Sequence, residues 1–145
     1  MIKKILLAAV CMANISMISA KSTHNAKNNE GPKTEIIQQV PKSVIIKTQK
    51  FKIRIDKQPN GKYLYQSWPA KSKITSKPSM IISDGDLIQD GSGGNYYFEF
   101  HNEGYTYQVW RNYLTDSPKR APYTLTVEDQ DGKTVVNQDG TVVKN

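Results

Sequence analysis

The stretch NYYFEFHNEGYTYQVWRNY, residues 95–113, decides the fold class. Two runs of alternating apolar and polar residues flank Asn102-Glu103-Gly104, a turn-forming triplet, and a period of two marks strands half-buried in a sheet. Pairing Phe100 with Tyr107 and Phe98 with Val109 gathers Tyr96, Phe98, Phe100, Tyr105, Tyr107 and Val109 on one face. The opposite face then carries Tyr97, Glu99, His101, Thr106, Gln108 and Trp110. A slip of one residue would mix Phe98 and Phe100 with Thr106 and Gln108, which a sheet with one buried face does not tolerate.

The same period recurs on both sides of this hairpin. Residues 43–56 read as one strand, with Phe51, Ile53 and Ile55 on one face and Lys50, Lys52 and Arg54 on the other. Gln58-Pro59-Asn60-Gly61 supplies a turn, and residues 62–67 return with Tyr63 and Tyr65 on one side. Residues 79–82 read as a short strand ended by Ser83-Asp84-Gly85. Residues 90–95 form a glycine-rich loop. Residues 123–128 set Tyr123, Leu125 and Val127 against Thr124, Thr126 and Glu128. Asp131-Gly132 and Asp139-Gly140, each followed closely by Thr-Val-Val, read as two further turns. No long helical period interrupts the pattern. The expectation is an all-β domain of about seven to nine strands, a small antiparallel sandwich or a partly open barrel.

All aromatic residues lie between Phe51 and Tyr123, which locates the core. Upstream, Lys3 and Lys4 precede an apolar run that closes on Ser19 and Ala20, the layout of a secretory signal peptide over residues 1–20. Residues 21–42 read as a flexible N-terminal segment and residues 43–145 as the β domain. Cys11 is the only cysteine of the 145 residues, so the exported chain would hold no disulfide and no thiolate site. A small exported domain without disulfides points to a bacterial periplasmic or secreted protein. No integral membrane span is expected once the signal is removed.

Charge is divided along the chain. Residues 21–77 contain thirteen Lys or Arg against three acids, and residues 78–145 contain five against ten. Such polarity steers encounters with charged partners. An envelope protein or an anionic glycan suits this pattern, whereas nucleic acid does not: the chain is expected to be exported and offers only Arg54, Arg111 and Arg120 for forked phosphate contacts.

Catalytic patterns are weak. His101 and Glu99 share a strand face but lack further converging ligands for a metal. Asp84, Asp86 and Asp90 lack the spacing of a calcium loop, and Gly91-Ser92-Gly93-Gly94 is neither a nucleophile elbow nor a phosphate loop. The expectation is a non-enzymatic protein with no cofactor and no metal. Its binding residues would be Tyr97, His101, Gln108 and Trp110, an aromatic and polar sheet face suited to a protein or a glycan. Trp68 reads as a lid on the core, with Pro69 ending its strand. A purely structural envelope domain is a further reading.

One motif leads elsewhere. Ser92-Gly93-Gly94-Asn95-Tyr96 has the form Ser-Gly-x-x-Tyr and resembles the motif of bacterial periplasmic lysozyme inhibitors, small β-barrels that insert a Ser-bearing loop into an enzyme active site. The resemblance covers five residues and implies an inhibitory loop of Ser92 and Gly93, with Ser92 inserted and Tyr96 as its support. The chain departs from that family in lacking the cysteines often found there.

Overall fold

The computed structural model describes residues 39–144. The expected export signal, residues 1–20, and most of the expected flexible segment, residues 21–42, lie outside the described residues. Eight strands follow one another: β1 (Ser43–Thr48), β2 (Phe51–Lys57), β3 (Tyr63–Pro69), β4 (Met80–Asp90), β5 (Asn95–Asn102), β6 (Tyr105–Arg111), β7 (Tyr123–Glu128) and β8 (Thr134–Val142). Each pairs antiparallel with the next, and β8 returns to β1, so the sheet closes into a barrel. An eight-stranded barrel is just wide enough for its own side chains to fill the lumen. No described helix is long and apolar enough to cross a membrane.

The central hairpin has the register that the sequence predicts: Phe100 lies opposite Tyr107 and Phe98 opposite Val109. Its inward row joins Val44, Ile46, Ile53, Ile55, Tyr63, Tyr65, Ile82, Tyr123, Leu125 and Val127 in one core. The rings interlock at tilted angles, with Tyr63 against Phe98 at 4.8 Å and Tyr65 against Phe100 at 5.4 Å between centroids, a geometry favoured by the aromatic quadrupole. Tyr105 departs from its expected place and is 40 % exposed. It stands beside the Asn102–Gly104 turn, where the hairpin extends past the core.

Three local readings are corrected. Residues 43–56 are two strands, because the Thr48 hydroxyl accepts the Phe51 N–H at 3.0 Å and folds the chain at Gln49-Lys50. Residues 83–85 form a bulge within β4: Tyr63 faces Gly85 and Tyr65 faces Ile82, so β4 carries one extra residue there. Asp84 takes a left-handed conformation, φ 60°, and the inward positions shift from Ile82 to Gly85. Asp139-Gly140 lies inside β8 and makes no turn. Gly140 is buried at the closure, where an added Cβ would stand 2.6 Å from Ile46. Asp131-Gly132 does turn, with Gly132 at φ 75°.

The closure is short, with three paired positions between Ile46↔Val142 and Thr48↔Gly140. Gln138 reinforces it, its Oε1 accepting from the Thr48 hydroxyl at 2.9 Å and from the Lys50 N–H at 3.1 Å. Trp68 is 2 % exposed, but it alternates with the inward Ser67 and so lies on the outer side of β3. The β3–β4 connection covers it, and its indole N–H donates to the Ser76 carbonyl at 2.8 Å.

Candidate functional site

Closure of the sheet turns the second face of the central hairpin outward, with no second sheet above it among the described residues. Tyr97 on β5 and Trp110 on β6 are opposite in register and stack at 4.2 Å with 27° between planes. The remaining polar groups interlock beside them. Trp110 Nε1 donates to Gln108 Oε1 at 3.1 Å, and Gln108 Nε2 donates to Glu99 at 2.8 Å. Glu99 also bridges His101 Nε2 at 3.2 Å, and the His101 ring contacts the Thr106 hydroxyl at 3.2 Å. Burial raises the Tyr97 phenol above its ordinary pKa, with the Glu99 charge adding to the effect. The four expected residues Tyr97, His101, Gln108 and Trp110 therefore belong to one network.

Tyr97 covers the indole from the β5 side and leaves its other face toward β7. There Trp110 lies opposite Thr124, and Thr124 opposite Asp139; one row along, Gln108, Thr126 and Asn137 follow the same order. Short threonines on β7 thus stand between longer side chains on β6 and β8, leaving a depression of about 580 Å³. Glu128 closes one end and Arg120, from the β6–β7 connection, the other. Trp110 supplies its aromatic wall; the remaining lining is polar.

The β6–β7 connection is held by Asn112. Its N–H donates to the Pro122 carbonyl at 2.9 Å, and its side-chain amide donates to the Ala121 carbonyl and the Thr124 hydroxyl, each at 2.9 Å. Arg111 stacks over Tyr123, 5.2 Å from the ring centroid, and donates to the Pro122 carbonyl at 3.0 Å.

The Ser-Gly-x-x-Tyr segment borders this groove. Residues 91–94 form the β4–β5 loop, with Gly91 and Gly94 in left-handed conformations at φ 69° and 85°. Asn95 anchors it, accepting the Tyr113 and Leu114 N–H groups at 2.8 and 2.7 Å and donating to the Leu114 carbonyl at 2.9 Å. Gly93 packs against Leu114, where an added Cβ would approach to 2.7 Å. Ser92 is exposed at the loop. Tyr96 is 1 % exposed, its ring in the core edge-on to Phe98 at 5.4 Å. A smaller depression of about 210 Å³ brings Asp90 and Asn95 to Trp110 and Arg120. The loop and the aromatic face are therefore adjacent parts of one surface.

Arg120, Asn137 and Asp139 were outside the residues that the sequence marked for binding. The Thr124, Thr126, Glu128 alternation was visible, but its value lies in being short between two taller rows, which only the pairing order reveals. The described residues contain no group of three or more His, Cys, Asp or Glu placed to hold a metal ion. No known protein family, characterised protein or solved structure matches this chain.

Proposed function

We propose that the protein is a non-enzymatic recognition module and that its ligand is a saccharide held in the groove over β6–β8. The carrying observation is the half-exposed Trp110 indole, braced by Tyr97, as the aromatic wall of a depression otherwise lined by hydroxyl, amide and charged groups. The apolar face of a sugar ring stacks on an indole, while its hydroxyls need donors and acceptors placed around the rim. Arg120 supplies a donor, Asp139 an acceptor and Asn137 both. Bracing lowers the ordering cost of the platform.

A glycan array followed by titration against the best ligand tests this reading. Trp110→Ala should weaken binding about 30-fold or more, the loss of a central anchor worth about 2 kcal/mol. Thr126→Lys should do the same by filling the groove from its floor with Trp110 intact. Affinity within twofold of the parent in both variants would refute the assignment.

The alternative inhibitor reading has its own support, the exposed Ser92 on a loop anchored by Asn95. Under it, the protein would inhibit lysozyme, Ser92→Asp would abolish inhibition, and Thr126→Lys would leave it intact.

A further inference from the structure

The wall across the barrel from the groove has the opposite chemistry. In a closed ring of eight consecutive strands, β2 stands opposite β6. Residues 39–78, which build β1, β2, β3 and the β3–β4 connection, contain ten Lys or Arg and one acid, Asp56. Arg54 bridges Asp56 at 2.8 Å and Lys62 bridges Asp86 at 2.6 Å. The other eight cations, all lysines, have no carboxylate partner among the described residues.

Backbone and side-chain bonds hold six of these lysines on one surface. Lys47 and Lys52 are directly opposite in the β1–β2 register, where like charges repel. Lys52 Nζ donates to the Ser72 carbonyl at 2.7 Å, and the Ala70 N–H donates to the Lys50 carbonyl at 2.9 Å. Together with the Trp68–Ser76 bond, these contacts strap the connection carrying Lys71, Lys73 and Lys77 onto the wall that carries Lys47, Lys50 and Lys52. The fold thus maintains a concentration of positive charge that the described acids leave largely unpaired.

We propose that this wall docks the protein on an anionic lipid bilayer and leaves the Trp110 groove facing away from it. Charge complementarity selects an anionic partner. Lysines favour a smeared surface charge over a discrete phosphate or sulfate, because an ammonium is a compact point charge without the planar fork of a guanidinium. Attraction of this kind decays within a Debye length, about 10 Å at 0.1 M salt, so docking should weaken steeply as salt is raised.

The full chain would be mixed with vesicles of phosphatidylcholine alone or of phosphatidylcholine and phosphatidylglycerol in equal parts, then briefly acetylated and mapped by mass spectrometry. Lys47, Lys71, Lys73 and Lys77 should be protected only by the anionic vesicles, while Lys119 and Lys133 stay reactive. Lys73→Glu/Lys77→Glu should lower partitioning onto anionic vesicles by at least about 25-fold, about fivefold for each lysine removed from the surface before any repulsion from the new carboxylates. Lys119→Glu/Lys133→Glu, with the same change in net charge, should lower it far less. Equal protection by both vesicle types would overturn the proposal. So would equal losses in the two double variants, or protection by soluble dextran sulfate with none by vesicles.

Discussion

Replacing Gly85 by Ala probes the bulge that places the core around β4. The added Cβ would stand 2.8 Å from Cζ of Phe100 and closer still to Cδ1 and Cε1. Carbon atoms pack comfortably at about 3.5–4.0 Å, so the ring must retreat by about 1 Å or more. It has little room: Phe100 is 1 % exposed and packs on Tyr65, which in turn meets Tyr107 at 5.8 Å between centroids. Overpacking of this kind costs about 1–3 kcal/mol. Gly85 is not in the left-handed region, so alanine also restricts the unfolded chain and returns about 0.4–1 kcal/mol. The expected net loss is about 1–2 kcal/mol, read from urea unfolding followed by circular dichroism. Phe100→Leu should relieve the clash, so the double variant should be more stable than the two single losses imply, by about 1 kcal/mol or more. A Gly85→Ala protein as stable as its parent, or strict additivity with Phe100→Leu, would refute the reasoning.

Other tests address the core, the closure and pH. Phe98→Ala should cost about 3–5 kcal/mol, since the ring is fully buried among other aromatics. Gln138→Ala should cost about 1–2 kcal/mol and speed amide exchange in β1 and β8 ahead of β5 and β6, because it removes the acceptor shared by Thr48 and Lys50. Burial pushes the Tyr65 phenol from 10.0 up to about 12. Below pH 10 both folded and unfolded chains keep that proton; above it the unfolded chain ionises first. This phenol alone should therefore lower stability by about 1.4 kcal/mol per pH unit between pH 10 and 12, and Tyr65→Phe should make the decline shallower by that amount while the Tyr96 phenol, also raised by burial, keeps its own share. Unchanged alkaline stability in the parent would show that the phenol escapes its burial.

The parts of the fold legible in the sequence were those governed by a two-residue period. Phe98 opposite Val109 followed from the need to keep apolar side chains together, and Pro69 at the end of β3 from its missing N–H, whereas Trp68, read as a lid on the core, lies on the outer side of β3 under the β3–β4 connection. The errors fell where one local signal served two geometries. Asp139-Gly140 looks like a turn, yet its glycine is needed because β8 passes Ile46 too closely for a Cβ. Ser83-Asp84-Gly85 looks like a turn and is a bulge, since only the partner strand decides whether a left-handed residue ends a strand or kinks it. The candidate site was half legible: Tyr97, Gln108 and Trp110 share one strand pair, but Asn137, Asp139 and Arg120 reach it through pairings that the hairpin alone does not specify.

The barrel closure also shapes how this chain folds. Seven of its eight strand junctions join sequence neighbours, and the eighth ties residues such as Thr48 and Gln138 across a separation of 90. Neighbouring hairpins can zip with little loop entropy, whereas the closure must gather nearly the whole domain for three paired positions. Weak pairing at the end of so long a search is expected to make closure the late event, following a curled open sheet, and pulsed amide exchange during refolding should then protect β5 and β6 before β1 and β8. In that open sheet the edges of β1 and β8 are bare, and such edges template pairing with another chain. The junction that removes the barrel's edges is therefore also where a crowded, half-folded population is most exposed to strand exchange between molecules.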